Sequence, residues 1–293
     1  MLCKSLMPVQ APPPTPAASA TARPWAIKRL PPFPAVALQL LSLLDNEDVS
    51  MKQIVNLLRV DPALSAEILR VSNSALYGLS RRIDNVSHAV VVLGTEVVKR
   101  LALTVAIGKF TRNGSNSAAL KRCWDHSMAV ALLAERVAGQ LHQPRDRGYT
   151  AGLLHDVGAL ALLTCFPSEY GNMIEVAREN SFEQLECERQ MFDIDHAAAG
   201  GWLARHWNLP DDLVSAISRH HDPEACGSDI TSIVRCADRL AGVYGYALIE
   251  DHVHETPEEV VGDLQTKDAD DFLARLEGVD EAIRNAIHTF SPH

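Results

Sequence analysis

Apolar positions recur along most of this chain at three- and four-residue spacings, and runs that alternate every second residue are few. That period is the one a half-buried helix needs, so the expected fold is all-α. Val36, Leu40, Leu43 and Leu44 share a face of a first helix over 35–44, and Ile54, Leu57 and Leu58 mark a second that Ser50 caps. Asp61-Pro62 starts a third helix through Leu64, Ile68 and Val71, since an aspartate cap followed by proline satisfies free N–H groups and presets the backbone. Ser87 is expected to open a fourth, Gly94-Thr95 to break it, and Val97, Leu101 and Val105 to carry a fifth to about Phe110. Residues 113–117, NGSNS, read as a linker.

The second half predicts a long helix over 118–141, helices near 168–179 and 182–192, one that Asp193 or Asp195 caps with His196 in its first turn, one that starts at Leu209-Pro210-Asp211-Asp212 and ends at His220-His221, and one over 229–246. Thr256-Pro257-Glu258-Glu259 is another start signal, and the acidic segment after it reads as solvated helix or a docking surface. Between them lies 151–163, AGLLHDVGALALL, which is apolar nearly all round and predicts one core helix with His155 and Asp156 in its middle. A lone buried carboxylate is costly unless it is paired, hydrogen-bonded or bound to a metal. Asp156 is therefore expected either to be capped by its own backbone or to have partners elsewhere in the chain.

Candidate partners share its setting. His126, His155, His196, His220, His221 and Asp238 are titratable residues within, or at the ends of, helices otherwise built for burial. A helical bundle can aim such side chains at one point. Neighbouring residues on a helix point about 100° apart, so His155 with Asp156, or His220 with His221, are expected to serve two ions rather than chelate one side by side. Imidazole and carboxylate together suit iron, manganese or zinc, and ligand chemistry does not choose among these. His88, His142, His206, His252, His254, His288 and His293 fit no constellation and are expected at the surface.

Composition narrows the class. A chain of 293 residues can bury a sizeable core, and no segment approaches the apolar length of a membrane helix. The six cysteines form no C-x-x-C pair, which suits reduced thiols and a cytoplasmic location. Prolines interrupt the N-terminal residues, so 1–29 are expected to be a disordered leader, followed by a helical module over 30–117, a bundle over 118–248 and an acidic helical segment over 249–293. Residues 1–117 carry 13 Lys/Arg against 7 Asp/Glu, and the remainder 14 against 30. That split implies either an anionic partner for the first half or two halves that attract one another. Residues 50–72 could pass for a helix-turn-helix, but no compact basic run with interleaved aromatics accompanies them, so nucleic acid is not the expected partner.

The order His126, His155-Asp156, Asp238 resembles the metal-binding signature of the HD phosphohydrolase superfamily, and His196 with His220-His221 resembles its binuclear HD-GYP branch. From about Leu30 to Tyr246 the chain resembles the HDOD family, bacterial regulatory proteins in which a helical module precedes an HD-like bundle. The segments that carry this likeness include LPPFPAVALQLLSLL, DPALSAEILRVSNSALYG, AGLLHDVGALAL and DHAAAGGWLARHWNLPDDLVSAISRHHDP. The resemblance implies one metal site made by His126, His155, Asp156 and Asp238, and a second in which Asp156 bridges to His196, His220 and His221. Two divalent ions held by two carboxylates keep a net positive charge, which would attract a phosphate or nucleotide. It also implies signalling through protein or ligand binding, with Asp156 at the reacting centre of any phosphohydrolase or phosphodiesterase activity. The chain departs from the active enzymes, having Ala159 where they have a lysine, Arg122 where they have a glutamate, and no GYP motif after His221.

Overall fold

The computed structural model describes residues 24–30, 35–44, 50–112, 117–249, 255–264, 269–274 and 276–290, and among them there is no strand. A first module contains α1 (Ala35–Leu44), α2 (Met51–Arg59), α3 (Pro62–Ser72), α4 (Val86–Leu93) and α5 (Thr95–Arg112). Ser50 and Gln53 form a capping box on α2, and the Asp61 carboxylate accepts the Leu64 N–H at the start of α3. Asn85 rather than Ser87 caps α4, because its side chain reaches the His88 N–H three residues on. The α2–α3 pair is a bundle corner whose Ile54, Leu58, Leu64, Ile68 and Val71 are all fully buried. Residues 31–34 and most of the expected linker, 113–116, lie outside the described residues.

The bundle follows as α6 (Ala118–Gln140), α7 (Arg145–Leu154), α8 (Val157–Cys165), α9 (Pro167–Asn180), α10 (Gln184–Phe192), α11 (His196–His206), α12 (Asp211–Arg219) and α13 (Ile230–Val243). One continuous apolar cluster runs from Ile54 and Leu101 of the module to Leu160, Phe166 and Ile217 of the bundle, so the two are packed through a shared core. Charge follows the same joint. Arg100 on α5 pairs with Glu135 on α6 and lies 3.1 Å from Asp146 on α7, which fits halves that attract one another.

Three expectations change. The run 151–163 is two helices, because Asp156 (φ −96°, ψ 20°) leaves helical geometry between α7 and α8. The leader ends before residue 29: Trp25–Arg29 form a short 3-10 turn that buries Ala26 and Ile27 and sets the Trp25 ring 5.0 Å from Phe166 and 6.0 Å from Phe192. Residues 1–23 lie outside the described residues.

The third change concerns the acidic segment, which packs as α14 (Pro257–Gly262), α15 (Ala269–Ala274) and α16 (Val279–Phe290). Val260, Val261, Leu264, Phe272, Leu276 and Ile283 close a second apolar cluster with Val130, Leu133 and Leu240. Among the described residues Glu258, Glu259, Asp263, Glu277 and Glu281 are exposed, and composition alone hid the inner face. Ile283→Ala is accordingly expected to cost about 2–4 kcal/mol in urea unfolding, whereas a solvated tail would stay within about 0.5 kcal/mol.

Candidate metal centre

Close helix approach brings the candidate residues together. On α7, a Cβ added to Gly152 would lie 2.7 Å from the Val130 carbonyl of α6, so only glycine lets His155 come beside His126. At the start of α8, a Cβ on Gly158 would lie 2.0 Å from the His196 carbonyl and 2.6 Å from the Gly200 nitrogen. The small residues of α11 therefore allow direct backbone packing against α8.

Asp156 occupies the N-cap position of α8, yet its side chain makes no capping hydrogen bond. Its carbonyl accepts the Leu160 N–H at 3.0 Å, leaving the carboxylate to turn inward. The self-capped alternative for Asp156 is thereby removed. Its Oδ1 lies 3.2 Å from His196 Nε2, 3.5 Å from His220 Nε2 and 3.6 Å from His155 Nε2. None of these contacts is directed well enough to be a hydrogen bond, so Oδ1 is a buried acceptor without a partner.

The imidazoles are oriented from behind. Nδ1 of His126, His155 and His220 meets the backbone carbonyls of Tyr246, Gly152 and Ile217 at 2.9, 2.7 and 2.9 Å. A carbonyl only accepts, so each Nδ1 carries the hydrogen and each ring turns its Nε2 inward. His196 Nδ1 is held instead by Glu188, at 2.8 Å. The inward nitrogens then face one another: His126 and His155 at 3.1 Å, His196 and His220 at 3.3 Å, His196 and His221 at 2.9 Å. Lone pairs at that range repel unless a proton or a cation lies among them. Tetrahedral nitrogen ligands about 2.0–2.1 Å from one ion stand roughly 3.3 Å apart, so the observed spacing fits metal ligation.

The donor atoms fall into three groups, each within 4.8 Å: His126, His155 and Asp238; His155, Asp156 and His220; His196, His220 and His221. All seven candidates therefore converge, with Asp156 in the middle group. The expectation that adjacent residues could not share an ion is corrected. His155-Asp156 and His220-His221 lie in helix breaks and ends rather than on regular helix, and there neighbours can turn the same way.

Electrostatics match the donor set. Burial raises the cost of the Asp156 carboxylate, but the surrounding histidines outweigh it and hold the group well below the usual carboxylate range. Asp238 is lowered in the same way, burial opposing and His126 prevailing. Burial pushes His155 down to about 4, only partly offset by Asp156. It works against a charge on His196 too, yet Glu188 and Asp156 push that ring up to about 10. His221 is lowered by burial and by its histidine neighbours. His221 and Asp238 are the most accessible of the seven, with side chains 38% and 16% exposed, so the cluster opens to solvent on their side.

Glu188, beside the cluster, escaped the sequence reading. Glu188 is fully buried and accepts from the His196 N–H at 2.7 Å, the Tyr170 hydroxyl at 2.5 Å and Gln184 Nε2 at 2.8 Å. Its signal was present: Glu188 falls at helical spacing between Leu185 and Phe192, a carboxylate on an apolar stripe. Arg122, which stands where the active enzymes have a glutamate, pairs with Glu175 on α9. Ala159 is fully buried. His88, His142, His206 and His288 lie apart from the cluster and are wholly or partly exposed, while residues 252, 254 and 293 lie outside the described ones.

Fold and cluster together define an HD-like helical bundle carried on a helical module. Residues 30–223 match the HDOD domain, and the chain belongs to that family. A crystal structure of an HDOD domain protein from Geobacter sulfurreducens superposes with a TM-score of 0.74 at 25% identity, covering 89% of this chain and 93% of that one. An uncharacterised protein of Treponema pallidum is 27% identical over 199 residues, 67% of this chain and 38% of that protein. Ribonuclease Y of Mycoplasmoides gallisepticum is 24% identical over 197 residues, 62% of this chain and 30% of that protein. The chain thus spans well under half the length of these two relatives. No single helix among the described residues is long and apolar enough to cross a membrane.

Proposed function

We propose that this HDOD protein is a regulatory module whose bundle holds two divalent ions and which signals through protein or ligand binding. His126, His155, Asp156 and Asp238 would hold one ion, and Asp156 with His196, His220 and His221 the other. The observation that carries the reading is Oδ1 of Asp156, buried without a hydrogen-bond partner among inward-facing imidazole nitrogens. Bound there, divalent ions would supply positive charge and Lewis acidity toward a phosphate. The chain's own part is to fix the ligands: backbone carbonyls and Glu188 set the rings, and the packed apolar shell keeps water from their outer sides.

Binding is favoured over turnover by what surrounds the cluster. A fully buried Ala159 offers no charge to a transferred phosphoryl group, and the Arg122 guanidinium is engaged by Glu175. Loss of one electrostatic donor costs about 10²–10³ in rate. Metal analysis of the purified chain should find about two divalent ions, and His155→Ala/Asp156→Ala should retain none. An equally empty wild type would leave the cluster a structural relic.

A second reading is a metal-dependent phosphohydrolase on a nucleotide or phosphodiester. The likeness to a ribonuclease Y and the opening beside His221 and Asp238 favour it. Turnover of bis(p-nitrophenyl) phosphate with added manganese or iron, abolished by Asp156→Ala, would establish it. The regulatory reading expects no turnover above the metal-only background.

A further inference from the structure

Three rings of the cluster are held by backbone carbonyls, but not in the same way. His155 and His220 lean on Gly152 and Ile217, three positions earlier in their own helical turns, so local structure alone orients them. His126 leans on Tyr246, 120 positions further along the chain. Its inward Nε2 stands 3.1 Å from His155 Nε2 and 3.2 Å from Asp238 Oδ1. Hydrogen bonds weaken steeply as they bend, so a Tyr246 carbonyl that drifts lets this ring turn and carries Nε2 away from both.

Tyr246 is itself held at two ends. It follows Gly245, whose φ of +81° ends α13, and its N–H donates to the Ala241 carbonyl at 2.8 Å. Its hydroxyl donates to Asp280 Oδ1 on α16 at 2.9 Å. That helix is a firm support. Val279 and Ile283 pack in the bundle's second apolar cluster, whereas Ala286 and Phe290 belong to the core that module and bundle share. Near its far end the Thr289 carbonyl accepts Arg70 Nη2 of α3 at 2.8 Å.

We propose that Tyr246 and Asp280 are positioning residues for His126, the means by which α16 sets one ring of the cluster. For its effect on metal the inference rests on the two-ion reading above; the hydrogen bonds that make the linkage do not. An ion among His126, His155 and Asp238 would then depend on α16. One among His196, His220 and His221 would not, because Glu188 and the Ile217 carbonyl hold two of its rings.

Zinc titrated into the purified, metal-free chain, with the ring nitrogens of His126 and His221 followed by NMR, reads the two sites separately. Tyr246→Phe keeps the ring and the backbone and deletes one hydroxyl. In the metal-free protein it is expected to speed exchange of the His126 Nδ1 proton with water. It should also raise the zinc concentration that half-saturates His126 by about two- to tenfold, the equivalent of one ordinary hydrogen bond, and leave His221 unchanged. Asp280→Ala should do the same, and Asp280→Asn, whose amide oxygen still accepts, should behave as wild type. Tyr246→Phe and Asp280→Ala together should be no worse than either alone, since both break one bond. An unaltered His126 in Tyr246→Phe, an equal loss at His221, or losses that add in the double variant would overturn the proposal. A wild type that takes up no zinc would remove the two-ion reading instead, and exchange of the His126 Nδ1 proton would still decide the linkage.

Discussion

Gly158→Ala is expected to destabilise the protein by about 3 kcal/mol or more. The added methyl would stand 2.0 Å from the His196 carbonyl and 2.6 Å from the Gly200 nitrogen, both backbone atoms with no rotamer to yield. Relief requires α8 and α11 to separate, and α11 carries His196 away from Asp156 as it moves. Stability and the second half of the cluster should therefore fail together, with a fall in melting temperature of about 6–12 °C and loss of metal. Gly171→Ala is the control. Its methyl would meet only the Ala119 side chain at 3.9 Å, so the better helix propensity of alanine should leave stability unchanged or raise it by up to about 1 kcal/mol. Equal melting temperatures for the two variants would contradict the packing described for Gly158.

Glu188→Ala should be comparably severe for a different reason. The carboxylate is the common acceptor for the Tyr170 hydroxyl and for the backbone N–H and Nδ1 of His196, all buried. Its removal leaves those donors unpaired and takes away a main support of the His196 charge, at a cost of about 3–5 kcal/mol. Glu188→Gln keeps the shape and should cost about 1–3 kcal/mol. Both should weaken metal binding about 10- to 100-fold, the usual effect of losing the group that orients a histidine ligand. Urea unfolding of the metal-free protein and direct metal titration separate the two effects. A Glu188→Ala protein within about 1 kcal/mol of wild type would mean the carboxylate is not the anchor its contacts imply.

Much of this was legible before any coordinates. The 3.6-residue period placed the helices, and the caps at Ser50, Asp61 and Thr256 act where their residue types suggested. The candidate residues could be chosen because each is a titratable group in an apolar setting, a mismatch that local sequence displays. The break at His155-Asp156 was not legible. Every residue around it favours burial, and what ends α7 there is the inward turn of a carboxylate toward groups on three other helices. Glu188 was passed over because α10 is mostly polar, and one buried carboxylate among several exposed ones shows only in its phase relative to Leu185 and Phe192. The acidic C-terminal helices misled for the opposite reason, their charge concealing an apolar face that fits the bundle.

The proposed centre would hold two cations, one on either side of the Asp156 carboxylate. Anomalous diffraction from crystals grown with manganese tests it most directly. Two peaks about 3.5–4 Å apart are expected, one among His126, His155 and Asp238, the other among His196, His220 and His221. A map with no peak in the cluster, its imidazoles instead hydrogen-bonded to water or to one another, would contradict it.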